Sequence, residues 1–455
     1  MTFPRRPLVA LVALVALAAA AGLLTLMLVP AAAQAARRQD PGPEPATPVR
    51  HFLFLMQGGR TFDNYFGTYP GADGLPRGTC QPRSAHDPSR GCVAPFALHG
   101  TVPPALSPTR TVLGNQLDGG RMDGFVSAYT RQGRDGAPAM GHYDARDLPF
   151  SWAAARKGAL FDRFFSTAPY GAATQRSYWV SGTPAPGGGD TVPAGGYGDR
   201  PTLFDRLQKA GVSWKFYVEG YRPRETWRTS GATQPVRAPL LGYARFTDDP
   251  ALRGHIAGLD QYYQDLDHGT LPSVAYLATN GSAERSARSL PAGQRLIRTV
   301  ATQLMLSRYW DSSALLWSYD GSGGWYDHVR PPRAVDGPRG PRVPAVLLSP
   351  YARPGHIDHT VLDSTSALRF VEDNWHLKPL AARDAAAASL TGAFDFRHGP
   401  RAPEILPAAP DRRPVGRVDS AMIHTVYGTA ALATLALVAF AAIRTRPAHR
   451  EGASR

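Results

Sequence analysis

The chain has 455 residues and a formal net charge of +14, an excess that would suit a nucleic-acid partner. Half of that excess comes from arginines near the two ends of the chain, and no basic helical pattern is interleaved with aromatic residues. We therefore expect no nucleic-acid partner. The length is sufficient for one large domain with a substantial core.

An uncharged apolar segment lies at the start of the chain. Two arginines precede a run without charge from Pro7 to Ala36, which ends among small residues typical of a signal-peptidase site. Residues 1–36 are therefore predicted to be a secretory signal peptide. If they are not cleaved, they are long enough to be an N-terminal membrane anchor, which takes about 20 residues. Residues 37–48 are predicted to be a linker.

The central part of the chain alternates short apolar runs, bounded by Gly or Pro, with segments of helical periodicity. Predicted strands are 49–57, 212–218, 273–278, 313–319 and 342–349. Predicted helices are 149–165, 201–211, 292–309 and 366–376. This alternation predicts an α/β fold, a three-layer α/β/α sandwich whose mostly parallel sheet is covered on both faces. Ligand sites in such sheets lie at the carboxyl ends of the strands.

Cys80 and Cys92 are the only two cysteines of the sequence. Both belong to a loop rich in Gly, Pro and Arg. In an oxidising compartment we expect them to form a disulfide, since two isolated cysteines do not complete a zinc site. Closing a loop of about 13 residues would add on the order of 3 kcal/mol to the free energy of unfolding in the chain-entropy account.

A second uncharged apolar segment lies near the end of the chain. Residues 397–420 are rich in proline and are predicted to form a stalk. Residues 421–443 are predicted to form a transmembrane helix, with a buried core helix as the alternative. Arginines follow that segment directly, so the positive-inside rule predicts that the tail 444–455 is cytoplasmic. The main domain, 49–396, is then expected to be extracytoplasmic and tethered to the cell membrane.

The segment FLFLMQGGRTFDNYFG, residues 52–67, resembles the opening signature of a bacterial phosphoesterase family. That family holds the phospholipase C and acid phosphatase enzymes of the alkaline-phosphatase-like superfamily. Further landmarks follow in the family's order: 122–125, 143–149, 162–165, 181–183, 214–217, 269–272, 318–320, 323–329, 344–351 and 383–384. The resemblance implies an alkaline-phosphatase-like fold and, in active relatives, a divalent metal and phosphoester hydrolysis.

The resemblance also implies where the metal ligands of relatives fall. The family's Glu-Asn pair coincides with Gly58 and Gly59, and the second carboxylate of its Asp-Glu-x-Gly-Gly motif coincides with Gly321. Asp320 keeps the first carboxylate of that motif, and Asp363 keeps the Asp of a later Asp-His pair. Asp320 and Asp363 are therefore the remaining candidate metal ligands. Because these are too few for a closed site, we expect no metal cofactor.

The attacking threonine of relatives coincides with Ala172, which has no hydroxyl group. A slipped register would bring Thr174 or Ser177 to that position instead, and would lose the match at Arg176. The family's His-Pro, which faces the phosphate, falls on Arg285-Ser286.

Several family residues are retained: Arg60, Asp63, Asp327, His328 and His359. Asp63 could cap the helix that follows it. Asp327 and His328 could remain as a buried hydrogen-bonded pair. Because their metal-side partners are missing, we expect a structural role for these retained residues.

The resemblance and the losses together give two main hypotheses. The first is a membrane-tethered, extracytoplasmic, phospholipase C-like protein that is catalytically impaired and serves as a binding or accessory module. Its partner would be a phosphate-containing ligand or an envelope protein. The alternative is an active hydrolase of phosphomonoesters or phosphodiesters, phospholipids included, with a rearranged metal site. A purely structural envelope protein differs from the first hypothesis in lacking a pocket that binds an anion.

Overall fold

The computed structural model describes residues 43–100, 103, 105–285 and 288–407. The predicted N-terminal segment 1–36, transmembrane segment 421–443 and tail 444–455 lie outside these residues, as does the stalk beyond residue 407. Within the described residues, no helix combines the length and the apolar character needed to cross a bilayer.

Eight strands form the central sheet: β1 (His51–Gln57), β2 (Ala159–Phe161), β3 (Trp214–Val218), β4 (Ile256–Gly258), β5 (Val274–Ala278), β6 (Ser313–Tyr319), β7 (Ala345–Leu348) and β8 (His356–Asp358). Their order across the sheet is β8-β2-β7-β6-β1-β5-β3-β4. Neighbouring strands are parallel except at β7, which runs antiparallel to both β6 and β2. The prediction of a mostly parallel sheet is therefore confirmed.

Helices follow most of the strands: α1 (Phe62–Phe66), α2 (Arg110–Leu117), α3 (Ser127–Thr130), α4 (Pro149–Lys157), α5 (Ala172–Ser181), α6 (Leu203–Ala210), α7 (Gln234–Arg237), α8 (Ala244–Asp248), α9 (Pro250–Arg253), α10 (Leu259–His268), α11 (Leu290–Leu306), α12 (Ser364–Asn374) and α13 (Ala382–Ala385). Short ladders pair Gln81–Pro82 with Cys92–Val93, Phe96–Ala97 with Gly141–His142, and Arg333–Ala334 with Gly337–Pro338.

All five predicted strands are present, with ends that differ by up to three residues. The predicted helix 149–165 is wrong in its second half, because α4 ends before Gly158 and β2 follows. A Cβ at Gly158 would lie 2.0 Å from the main-chain oxygen of Leu347, so only glycine allows α4 to pass this close to β7.

Helices pack on both faces of the sheet. Phe52 and Phe54 of β1 point to one face, where their rings meet Phe370 of α12 and Trp179 of α5 at centroid distances of 5.1 and 5.6 Å. Trp317 of β6 is aligned with Leu55, on the opposite face, and its ring lies 6.5 Å from that of Phe150 in α4. Strands buried on both sides explain why they are recognisable as continuous apolar runs.

The predicted disulfide between Cys80 and Cys92 is confirmed, with a Cα–Cα distance of 5.5 Å. Cys92 belongs to the small ladder of Gln81–Pro82 and Cys92–Val93, and Cys80 directly precedes that ladder.

Candidate functional site

The candidate site begins where β1 and β6 end side by side. These strands are parallel, and Gln57 is the partner of Tyr319 at their carboxyl ends. The residues that follow therefore meet: the N–H of Asp320 donates to the main-chain oxygen of Gln57 at 3.1 Å. The N–H of Gly59 in turn donates to Oδ1 of Asp320 at 3.2 Å. The structure thus brings Gly58, Gly59 and Asp320 together, as the strand ends indicate.

Two arginines pair with the carboxylate of Asp320. Nε of Arg176 donates to Oδ2 of Asp320 at 3.0 Å, and Nη2 of Arg285 contacts the same oxygen. The side chain of Arg176 is fully buried, whereas that of Arg285 is 41% exposed. Burial would raise the pKa of Asp320, but Arg285 and Arg176 outweigh it and hold that pKa below its ordinary value. Asp320 is therefore an ionised carboxylate with two cationic partners.

Arg285 also fills the space above the glycine pair. A Cβ placed on Gly58 would lie 3.0 Å from Nε and 3.1 Å from Cζ of Arg285. Gly59 has a φ of +73°, a left-handed conformation that few residues other than glycine adopt readily. The guanidinium group thus lies where the resemblance implies the side chain of a metal ligand. Ser286, the next residue, lies outside the described residues.

Gln175 takes the corresponding place beside Gly321. A Cβ on Gly321 would lie 2.8 Å from Nε2 of Gln175. That nitrogen donates to the main-chain oxygen of Ala168 at 2.8 Å, which holds the amide in position. The contact explains why a glycine follows Asp320 in this chain.

Ala172, the position that the resemblance assigns to the nucleophile, is the first residue of α5. It is partly exposed, and its N–H donates to Oδ1 of Asp190 at 2.9 Å. The hydroxyl groups of the slipped register are buried. Oγ1 of Thr174 bonds to the main-chain oxygen of Gly189 at 3.4 Å, and Oγ of Ser177 lies 3.3 Å from Oγ of Ser181.

Arg176 links α5 to the carboxyl end of β1 by hydrogen bonds. Its Nη2 donates to the main-chain oxygen of Gln57 at 3.1 Å, and its Nη1 donates to that of Arg237 at 3.0 Å. Burial lowers the pKa of Arg176 to about 10, against the opposing charge of Asp320. The motif match alone gave no indication that Arg176 binds Asp320, because the partners are 144 residues apart in sequence.

Three retained family residues form a buried network around Arg342. Nη2 of Arg342 pairs with Oδ1 of Asp63 and its Nε with Oδ1 of Asp327, each at 2.9 Å. Oδ2 of Asp63 accepts from the N–H of His328 at 2.8 Å and contacts Nδ1 of the same residue at 2.7 Å. The expected cap by Asp63 is wrong, since Thr61 caps α1 and the Asp63 carboxylate binds His328 and Arg342 instead.

Burial, ion pairs and hydrogen bonds together determine the pKa values in this network. Burial raises the pKa of Asp327 to about 6, although Arg342 opposes the shift. Burial alone would lower the pKa of His328, but the hydrogen bond to Asp63 outweighs it and raises that pKa. Arg342 is fully buried between the two carboxylates, so its single positive charge is shared by both, and His328 is a second partner of Asp63.

The other two retained residues have separate partners. Nδ1 of His359 lies 2.9 Å from both carboxylate oxygens of Asp162, and its side chain is 62% exposed. Arg60 is buried, and its Nε donates to the main-chain oxygen of Glu284 at 2.8 Å. Its guanidinium carbon lies 4.7 Å from the ring centroid of Trp325. Neither Arg60 nor His359 is hydrogen-bonded to Asp320 among the described residues.

Asp363, the second candidate ligand, is the N-cap of α12. Its Oδ1 accepts from the N–H of Thr365 at 2.9 Å. Its Oδ2 accepts from Nε of Arg339 at 2.7 Å and from Nη2 of Arg383 at 2.8 Å. Burial would raise the pKa of Asp363, but the two arginines hold it below its ordinary value. Both candidate carboxylates are therefore already paired with two guanidinium groups each.

These surroundings do not fit a divalent metal at Asp320 or Asp363. Such an ion takes several oxygen ligands, and here it would have to displace a pair of arginines to reach either carboxylate. Within the described ranges, one group of three His and Asp side chains has metal-ligand spacing, at His99, Asp144 and Asp147. It contains neither candidate, and Arg146 contacts both His99 and Asp144.

Comparisons with known proteins identify the family to which this chain belongs. A profile of the Phosphoesterase family matches residues 49–378, so the chain belongs to that family. Phospholipase C A of Mycobacterium tuberculosis is 28% identical over 423 residues, covering 79% of this chain and 80% of that protein. Non-hemolytic phospholipase C of Pseudomonas aeruginosa is 26% identical over 440 residues, covering 80% of this chain and 59% of that protein.

A plant protein and a solved structure are also similar. Non-specific phospholipase C1 of Arabidopsis thaliana is 26% identical over 410 residues, covering 79% of this chain and 74% of that protein. The crystal structure of a protein in the alkaline phosphatase superfamily from Vibrio parahaemolyticus is 11% identical. It has a TM-score of 0.38 and covers 75% of this chain and 74% of the other.

Proposed function

We propose that this protein is a catalytically impaired, phospholipase C-like member of the Phosphoesterase family that serves as a binding or accessory module. The observation that carries the proposal is the pairing of Asp320 with Arg176 and Arg285, with the Arg285 side chain lying over Gly58. Two internal cations thus occupy the surroundings in which active relatives are expected to hold a metal.

The chemistry of phosphoester cleavage supports this reading. Hydrolysis requires a positioned nucleophile and a group that stabilises the charge developing on the phosphoryl oxygens. Arginines can stabilise that charge, but they do not activate an attacking oxygen. Ala172 offers no hydroxyl group, and those of Thr174 and Ser177 are engaged within the protein. Loss of the nucleophile alone removes several orders of magnitude of rate in enzymes that use one.

We also propose that the main domain is extracytoplasmic and tethered to the cell membrane by residues 421–443. The uncharged apolar run with arginines directly behind it supports this orientation. The disulfide between Cys80 and Cys92 supports an oxidising compartment, where such bonds persist.

The test is a metal analysis of the purified full-length protein in detergent, paired with hydrolysis assays on phosphatidylcholine and an aryl phosphate. We expect less than stoichiometric divalent metal and no turnover above background, with or without added Mg²⁺, Ca²⁺, Mn²⁺ or Zn²⁺. Metal-dependent turnover that Asp320→Asn abolishes would overturn the proposal and favour the active hydrolase. Arg369→Gln, a change in a surface ion pair of α12, is the matched control.

A further inference from the structure

A pocket lies at the end of α5 that is remote from the site at Gly58 and Asp320. It has a volume of about 310 Å³ and is lined by Ser181, Thr183, Pro184, Arg200, Pro201 and Leu380. Ala172 begins α5 beside the strand ends and Ser181 ends it, so about 14 Å of helix separates the pocket from that site. The lining includes two residues of the landmark 181–183, which the proposed function does not use.

Arg200 gives the pocket a positive charge without a counter-ion. Its Nη1 donates to the main-chain oxygen of Pro184. Among the residues that the structure describes, its guanidinium group forms no ion pair, and Asp205 in α6 is already paired with Arg245. Because a guanidinium group has five N–H donors, most of those of Arg200 remain for a ligand.

The end of α5 gives the pocket the opposite sign. The last main-chain oxygens of a helix lack partners within it, and the peptide dipoles place about half a negative charge there. Oγ of Ser181 donates to the main-chain oxygen of Ser177 at 2.9 Å and lies 3.0 Å from Oγ1 of Thr183. Since Ser181 has used its hydrogen, Thr183 donates in that second bond and keeps its lone pairs for a cation. The carboxylate of Asp384, next to Gly182, adds negative charge behind the helix end.

The hydroxyl group of Tyr243 is a buried donor beside the pocket. Tyr243 is fully buried, and within the described part of the chain its hydroxyl group has no hydrogen-bond partner. Burial raises the pKa of Tyr243, and Ser181 and the charge of Arg200 are among the groups that oppose this rise. The hydroxyl group therefore lies close to two of the lining residues. Most buried polar atoms in native proteins are paired, so an unpaired donor here indicates a bound group.

We propose that this pocket binds a small zwitterion, an α-amino acid with an apolar side chain. Its carboxylate pairs with Arg200, because the planar donors of a guanidinium group match two carboxylate oxygens. Its ammonium group lies at the end of α5, and its side chain packs against Pro184, Pro201 and Leu380. The volume is at the low end of the range of ligand pockets, about 300–1,000 Å³, which suits a small molecule. The pocket shares no lining residue with the strand-end site, so its occupancy does not depend on catalysis.

The experiment is calorimetric titration of the full-length protein in detergent with three probes that share an isobutyl group. Leucine carries both charges, leucinamide lacks the carboxylate, and 4-methylpentanoate lacks the ammonium group. We expect leucine to bind and each analogue to bind about tenfold more weakly, the effect of losing one charge-assisted contact. Arg200→Gln should weaken the binding of leucine about tenfold and leave that of leucinamide unchanged, because leucinamide has no carboxylate to pair with Arg200.

Arg90→Gln is the control, since Arg90 is 64% exposed and pairs with Asp87 in the disulfide loop. It should leave all three affinities unchanged, and circular dichroism should show each variant folded. The comparison of the three probes on the wild type does not depend on any variant. If leucine does not bind, or binds no better than both analogues, the inference is overturned while the proposed function stands. Wild-type affinity for leucine in folded Arg200→Gln would overturn it as well.

Discussion

The carboxylate of Asp320 is the counter-ion of two arginines, Arg176 and Arg285. Its carboxylate is 2% exposed, and removing it would leave Arg176 as a fully buried cation without a counter-ion. Breaking a buried ion pair from one side costs about 3–5 kcal/mol. We therefore predict that Asp320→Ala lowers the free energy of unfolding by about that amount, measured by urea denaturation.

Asp373→Ala is the matched control for this prediction. Its carboxylate is 44% exposed and pairs with Arg369 one helical turn away, an arrangement worth about 0.3–0.5 kcal/mol. If Asp320→Ala cost no more than the control, the two-arginine account of Asp320 would be wrong.

Glu372, in α12, provides a test by pH. Burial, together with the nearby Asp384, raises its pKa to about 9. The folded state then keeps a proton that the unfolded state releases near pH 4.5, so the stability from this group falls as pH rises from about 4.5 to 9. The slope for one proton is about 1.4 kcal/mol per pH unit.

Glu372→Gln cannot titrate and should lose less stability between pH 5 and 8 than the wild type, in parallel urea titrations. Equal losses would show that Glu372 ionises normally in the folded protein. Glu404→Gln, the same change at a carboxylate that is 53% exposed, should keep the wild-type slope.

At the ends of β1 and β6, other side chains pack directly against Gly58 and Gly321. A Cβ on Gly58 meets Arg285 at 3.0 Å, so Gly58→Glu would crowd the cleft. Overpacking costs about 1–3 kcal/mol. We predict a loss of about 1 kcal/mol in the free energy of unfolding for Gly58→Glu, the low end of that range, because Arg285 is 41% exposed and can partly move aside. Adding Arg285→Ala should recover part of the loss. Gly195→Glu, at an exposed loop glycine with no atom near its Cβ, should change stability little. A loss in Gly58→Glu that Arg285→Ala does not relieve would contradict the contact.

The sheet and its strand ends show which features the sequence patterns predict and which they do not. Strands of four to seven residues could be predicted, because burial on both faces makes each a continuous apolar run. The sequence patterns do not predict the three-residue strands β2, β4 and β8, because three residues are too few to show a hydrophobic periodicity. That Gly58 and Gly321 stand at ligand positions of the family motif stays a prediction from the resemblance. The side chains that contact them, Arg285 and Gln175, could not be predicted, because they approach from distant parts of the chain.

In the molecule as a whole, the fold of the family includes a second ion-pair network, separate from the pairs of Asp320. The network of Arg342 with Asp63, Asp327 and His328 joins residues up to 279 positions apart. Among the described residues, no hydrogen bond or ion pair links it to Asp320. A domain held together in this way could lose catalytic groups at one strand end and still fold, as the proposed function requires, because a fold does not depend on the activity that it hosts.

The proposed tether gives the last prediction, which concerns orientation in the membrane. Arginines directly behind residues 421–443 favour a cytoplasmic tail, because positive charge is retained on the cytoplasmic side. In intact cells, a membrane-impermeant maleimide should label Ala408→Cys and should reach Ser454→Cys only after lysis. The native cysteines do not interfere, since Cys80 and Cys92 are bonded to each other. Labelling of Ser454→Cys in intact cells would reverse the proposed orientation, and protection of both positions until lysis would place the domain in the cytoplasm.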